Sequence, residues 1–303
     1  MNVRWGIAEL EPLLAELGVT RPLLVASARW DGADLPSAAR WDEIPSHRIE
    51  VPAGSDGLVA AGGGSAIDTA KAASAATGLP VVSVPTTYSG AEWNQHFGVR
   101  SPDRRMVGGG TGANLAGIVY EPQLTLDLPR GPSGGTAMNA LAHCVEALYR
   151  GDLEEARMGA ALIVEWLPRV LADLHDLDAR TRLLEGASFA GQALAMHGLY
   201  LGHAMAQAIG GTYGQPHGAL NSICLPAAMR FNAEVAPLAL EVVPVDTVEE
   251  LGRLAGFTRL RDLGVPEADL EPLGETIAVR PGARANPRPA SPAEIAELLR
   301  SIW

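Results

Sequence analysis

The chain predicts two domains: an α/β domain over residues 1–129 with a mostly parallel, trimmed sheet, and an all-helical domain over residues 130–303. Three observations predict this. Residues 56–90, DGLVAAGGGSAIDTAKAASAATGLPVVSVPTTYSG, run strand, glycine turn, helix, strand and polar turn, the alternation of a layer with parallel strands. Beyond residue 130 the apolar positions recur at helical spacing with few interruptions. Between the two stretches, Leu128-Pro129 leads into RGPSGGT, a Pro/Gly/Ser turn where the composition shifts.

Composition narrows the function classes. With 303 residues, each half is long enough to bury its own core, and 47% apolar against 19% charged residues describes an ordinary globular chain. A net charge of −12 argues against a nucleic-acid surface and against binding to acidic membranes. The few, scattered aromatic residues make no stacking platform for bases. The same negative field disfavours an anionic ligand, so any such ligand needs helix N-termini or local positive charge. No charged leader with an apolar core is present, nor any apolar run near about 18 residues, so the expected location is cytoplasmic. Cys144 and Cys224 sit in apolar helical stretches without metal-type spacing and read as buried thiols.

Taken in order, residues 7–17 carry apolar positions at helical spacing, and residues 21–27, RPLLVAS, read as a short buried strand. Residues 30–46 look irregular. Strands are expected at His47–Val51 and Gly57–Ala61. Only PAGSD separates these two, too little for the crossover that adjacent parallel strands need, so they are not parallel neighbours joined by a helix. The turn Gly62-Gly63-Gly64-Ser65 ends a strand and opens an alanine-rich helix, where backbone N–H groups and the helix dipole can cradle a pyrophosphate. Glycine turns between strand and helix are common, and the context strengthens this one. Asp68 and Lys71 follow on the helix, and Thr86, Thr87, Tyr88 and Ser89 end the next strand. Both loops leave carboxyl ends of strands, where open α/β sheets bind ligands.

In the second half, helices are expected at residues 137–149, 154–174, 179–196, 248–255 and 292–302, with two more around His203 and His217. Asn139 and His143 are four apart and share a helix face. His203 lies on LYLGHAMAQAIGG, and His217 opens HGALNSICLPAAMRF after a Gly/Pro turn. Two helices joined by a tight loop can aim two imidazoles into one cavity, provided the fold brings the segments together. Each histidine alone also reads as an ordinary core or surface residue.

GGGSAIDTAK, PTTYSGAEWN, MNALAHCVEAL and GHAMAQAIGGTYGQPHGALNSICLP, in that order, resemble the motifs of the iron-containing alcohol dehydrogenase family. Within it, Glu121–Pro129, Asn139, Gly210-Gly211 and Asn286–Pro289 resemble the maleylacetate reductases. The resemblance implies a dehydroquinate synthase-like architecture, a nucleotide-binding α/β domain with an all-helical partner and the active site in the cleft between. It implies NADH or NADPH along Gly62, Gly63, Gly64, Ser65, Asp68, Thr86, Thr87 and Ser89, a small-molecule substrate and a homodimer. In the metal-dependent branch an aspartate and three histidines hold the metal, matching Asn139, His143, His203 and His217 by position. An amide is a poor ligand for a divalent cation, so metal is expected to be absent; if one is present, His143, His203 and His217 would hold it. Against the reductase branch, whose pattern is His-Lys-x-Cys-His, this chain has His203-Ala204-Met205-Ala206-Gln207, and Asn221 stands where that branch has a histidine.

The expected reaction is hydride transfer from the reduced nicotinamide to an activated enone or carbonyl. Negative charge then appears on the conjugated oxygen, and His143, His203 or His217 donates to it, with Asn139 an uncharged donor. Tyr88 and Arg288 are candidate substrate contacts, Arg100 a further anchor for an anionic substrate, and Arg29 a candidate for a 2′-phosphate. Asp68 and Glu92 read as structural or cofactor-positioning groups. The alternatives are a metal-dependent (iron or zinc) alcohol dehydrogenase or aldehyde reductase, and a catalytically inactive nucleotide-binding homologue.

Overall fold

A computed structural model describes residues 1–46, 48–102 and 105–303. They form two compact units, Met1–Leu126 and Asp127–Trp303. The first contains β1 (Asn2–Trp5), α1 (Leu10–Glu16), β2 (Pro22–Val25), β3 (Ala39–Trp41), β4 (Gly57–Gly62), α2 (Gly64–Thr77), β5 (Pro80–Pro85), β6 (Phe97–Arg100), β7 (Met106–Gly110) and β8 (Asn114–Tyr120). Its sheet is parallel throughout, in the order β1-β8-β5-β4-β2-β3, and β6 and β7 form a separate antiparallel hairpin.

The central strands β2 and β4 are apolar end to end because both faces are covered. Leu23, Val25, Leu58, Ala60 and Val81 pack with Ile67, Ala70 and Ala73 of α2. Their alternates Leu24, Val59, Ala61, Val82 and Val84 pack with Leu10, Leu13 and Leu14 of α1. Register fixes the result, since a one-residue slip would exchange the two faces.

Two expectations for this unit need correction. Within His47–Val51 the described residues 48–51 form no strand, and His47 itself lies outside the described residues. The strand next to β4 is β2, paired Val25↔Ala60, while the stretch expected to be irregular contributes β3 at the sheet edge, paired Leu24↔Arg40. The connection into β3 has a single 3-10 turn, Ala28–Trp30, in place of a crossover helix. Arg40 fills that gap, its guanidinium donating to the carbonyls of Ala26 (3.3 Å), Ser27 (2.8 Å) and Trp30 (3.4 Å) and pairing with Asp31 at 2.8 Å. β1, the hairpin and β8 carry signals too short or too glycine-rich to read from pattern alone.

The second unit is helical: α3 (Arg130–Leu148), α4 (Glu154–Ala172), α5 (Leu177–His197), α6 (Leu201–Tyr213), α7 (His217–Asn232), α8 (Pro237–Val242), α9 (Val245–Ala255), α10 (Leu270–Ala278), α11 (Pro281–Arg284) and α12 (Pro292–Ser301). The expected turn RGPSGGT is the start of α3. Pro132 is tolerated because it lies in the first turn, where no intrahelical partner is lost. The glycines there serve close approach: a Cβ on Gly134 would lie 2.6 Å from Ala255 Cβ in α9, and one on Gly218 in α7 would lie 2.2 Å from the Gly135 carbonyl oxygen. Arg180 of α5, fully buried, staples the entry to α3, donating to Leu128 O (3.0 Å), Ser133 Oγ (2.7 Å) and Leu174 O (3.0 Å). The α6–α7 loop turns on Gly214 in the left-handed region (φ 69°) and on Pro216, so that α7 begins at His217.

Candidate functional site

In the first unit, the turns after β4 and β5 meet because their strands are neighbours, with Gly62 in register with Pro85 and Thr86 N donating to Gly62 O at 3.0 Å. Gly62 has φ 151°, a conformation that favours glycine, and a Cβ on Gly63 would lie 2.9 Å from Thr87 Cγ2. A Cβ on Gly64 would approach Ser89 Oγ at 3.4 Å. Helix α2 starts at Gly64, directing its N-terminal dipole into this turn, and Ser65 lies in its first turn. Thr87 Oγ1 is buried and has no hydrogen-bond partner among the described residues. A bare backbone, a helix N-terminus and an unsatisfied hydroxyl suit a pyrophosphate.

Asp68 has another task. Its carboxylate pairs with Lys71 at 3.0 Å and accepts from Gly98 N at 3.1 Å, while the buried Lys71 ammonium donates to the carbonyls of Ala91 (2.7 Å), Asn94 (3.2 Å) and His96 (2.5 Å). Both residues fasten the 91–98 segment onto α2, which supports the turn. Glu92 is buried beneath the same turn, accepting from Tyr120 Oη at 2.9 Å, and burial raises its pKa above the ordinary carboxylate value. Tyr88, expected to touch substrate, has no exposed surface.

In the second unit, α3, α6 and α7 bring Asn139, His143, His203 and His217 together. Asn139 and His143 lie on the buried face of α3. Its crossing with α7, made possible by Gly135 and Gly218, sets His217 beside them. His143 and His203 stack, with ring centroids 4.8 Å apart and planes 13° from parallel, and His217 is 5.7 Å from His203. The bridging group is Asn221, whose amide nitrogen lies 2.6 Å from Asn139 Oδ1 and 3.0 Å from His217 Nε2. Glu146, one turn past His143, is fully buried and holds His203 Nδ1 at 2.8 Å. Burial, and then the neighbouring His203 and His217, hold His143 well below the usual imidazole pKa. His143 Nδ1 and His203 Nε2 are buried without partners among the described residues.

Glu146 and Asn221 went unread as site residues. The available signals were positions 139, 143 and 146 on one helix face, and 217 and 221 on another. Arg288, expected as a substrate anchor, is committed elsewhere: its guanidinium sits 4.0 Å over the Phe231 ring and donates to Glu294 at 2.9 Å, fixing the C-terminal helix α12. Arg29 sits 5.2 Å over Trp30. Cys144 and Cys224 are free, buried thiols, and burial raises the pKa of both.

The donor set does not fit a divalent cation. The lone pairs of an imidazole lie in its ring plane, so two stacked rings do not aim at one point. Asn139 Oδ1 and His217 Nε2 are both engaged by Asn221. Among the described residues, no three His, Cys, Asp or Glu side chains form a group able to hold a metal ion. Also among the described residues, no helix is long and apolar enough to cross a membrane.

Comparison with known proteins places this geometry. The family model "Fe-containing alcohol dehydrogenase family, C-terminal" matches residues 134–303, and "Iron-containing alcohol dehydrogenase" matches residues 49–114. Maleylacetate reductase of Pseudomonas knackmussii is 34% identical over 331 aligned residues, covering 98% of this chain and 93% of that protein. The alignment exceeds the 303 residues present here, so that relative carries residues this chain lacks. The crystal structure of maleylacetate reductase from Rhizobium sp. strain MTP-10005 matches with TM-score 0.87 at 25% identity, covering 100% of this chain and 95% of that one. That of an iron-containing alcohol dehydrogenase from Corynebacterium glutamicum matches with TM-score 0.85 at 26% identity, covering 100% and 94%.

Similarity to reductases over nearly the whole chain, together with the family match, makes the chain an NAD(P)-dependent oxidoreductase. It belongs to the iron-containing alcohol dehydrogenase family, and within that family its full-length likeness is to the maleylacetate reductases.

Proposed function

We propose that the protein reduces an activated enone or carbonyl substrate of the maleylacetate type with NADH or NADPH, and that it needs no metal. The observation that carries this reading is the amide-to-amide bond of Asn139 with Asn221 at 2.6 Å amid three imidazoles, where a cation site would place a carboxylate.

Bound NAD(P)H supplies the hydride. Gly62 to Ser65, with Thr86, Thr87 and Ser89, hold the pyrophosphate through backbone N–H groups, hydroxyls and the α2 dipole. As hydride arrives, the conjugated oxygen of the substrate gains negative charge, which a carboxylate at position 139 would repel and an amide does not. His143 stays uncharged by reason of its burial and imidazole neighbours. His203, with a carboxylate at 2.8 Å, is the imidazole best placed to carry and give a proton. The same reading makes the protein a cytoplasmic homodimer acting on a small molecule.

The test follows NAD(P)H oxidation by absorbance, with chelator-treated and metal-loaded protein, against maleylacetate and a panel of aldehydes. Turnover of maleylacetate after chelation is the expected result. Equimolar bound metal and activity lost on chelation would replace this reading with a metal-dependent alcohol or aldehyde reductase, in which His143, His203 and His217 are ligands. Failure to bind NAD(P)H would remove both.

A further inference from the structure

Glu146 is a carboxylate in a helix whose surrounding residues are almost all apolar, and it is fully buried. A buried carboxylate is costly unless its oxygens are matched by donors. Here they are: Oε2 accepts from Tyr200 N at 2.7 Å and Oε1 from His203 N at 3.1 Å, both in the opening turn of α6, and Oε2 also meets His203 Nδ1 at 2.8 Å. Backbone N–H groups only donate, so both Glu146 oxygens already serve as acceptors, the pattern that an Nδ1–H facing Oε2 would extend. The opposite nitrogen, His203 Nε2, is buried and has no partner among the described residues.

The neighbouring sequence is shaped to this contact. Gly202, directly before His203, has a bare α-carbon where a Cβ would lie 2.9 Å from Glu146 Oε1. His143, by contrast, stacks on His203, its Nδ1 meets no partner among the described residues, and its burial holds it neutral.

We infer that Glu146 is the positioning residue for His203, fixing the ring by its Nδ1–H and presenting Nε2 to the reacting oxygen of the substrate. This rests on the reductase reading for its catalytic consequence, and on geometry alone for the state of the ring. In the reduction, the His203 ring protonated at both nitrogens, with a single positive charge, gives its Nε2 proton to the substrate oxygen as hydride reaches carbon, and Nδ1–H stays with Glu146. The ring ends neutral and is recharged from solvent. The carboxylate thus acts through the histidine, holding orientation and balancing the ring's charge before transfer.

Two measurements decide it. In the unliganded wild-type protein labelled with nitrogen-15 histidine, at alkaline pH where the ring is neutral, His203 should show its proton on Nδ1 and a bare Nε2. A proton on Nε2 would overturn the assignment. This needs no variant and no turnover, so it stands even if no substrate is ever reduced, the outcome that would sink the reductase reading instead. Glu146→Gln should lower kcat about 100-fold while leaving the dissociation constant for NAD(P)H unchanged, and should mix the two ring tautomers. Gly202→Ala, which crowds the carboxylate without removing it, should give a smaller loss confined to kcat. Wild-type kcat and an unchanged ring signature in Glu146→Gln would overturn the inference.

Discussion

His203→Ala removes the imidazole nearest a buried carboxylate, and turnover should fall about 100-fold or more. An unchanged rate in a coupled NAD(P)H assay would exclude His203 as the proton donor. His143 leads to a different measurement. Its folded pKa lies well below the ordinary imidazole value of 6.5, so the unfolded chain takes up a proton there before the folded one does. Stability contributed by the neutral ring is therefore present above about pH 6.5 and is lost as pH falls below it. Glu92 acts in the opposite sense, its raised pKa costing stability as pH rises above the ordinary glutamate value of 4.5. Comparing His143→Asn with the parent separates the two: the variant's melting temperature should fall less between pH 7 and pH 5, by calorimetry on chelator-treated protein. That Asn139, His143, His203 and His217 would meet was legible from spacing and motif. Glu146 was not, because one acid in an apolar helix is as easily a surface group until its partner is known. The partners of Arg288 were equally illegible, since an arginine in a motif does not announce that Phe231 and Glu294 meet it.

The crossing of α3 on α7 is set by two glycines with no side chains to keep them apart. Gly218→Ala would drive a Cβ to 2.2 Å from the Gly135 carbonyl oxygen, and backbone cannot yield as a flexible side chain does. A loss of about 1–3 kcal/mol in urea unfolding is expected, with reduced kcat because His217 is the adjacent residue. Gly211→Ala, in α6 with open space around it, is the control and should be neutral or stabilising by up to about 1 kcal/mol. Gly63→Ala meets Thr87 at 2.9 Å and should weaken NAD(P)H binding about tenfold, as fluorescence titration would measure. Elements with a clear period or a strand-turn-helix frame were readable in advance. RGPSGGT was not, because glycine and proline signal turns by their backbone freedom and signal close helix packing by their missing bulk, and only the packed partner tells which applies.

Across the molecule, the net charge of −12 opposes the approach of an anionic dinucleotide, and the glycine turn acts only at short range. The association rate for NADPH should therefore rise as salt increases from low to physiological concentration, which stopped-flow fluorescence would follow; a fall would point to a cationic steering patch. The two-part architecture was legible because parallel-sheet and helical periodicities differ so plainly. The sheet border was not, because β3 pairs over only Leu23↔Ala39 to Val25↔Trp41 and its connection carries no helix. That brevity has another effect. An open sheet margin is where a misfolded neighbour would otherwise zip on, and three residues, backed by a guanidinium already claimed by its own carbonyls, give such a chain almost nothing to template a fibril.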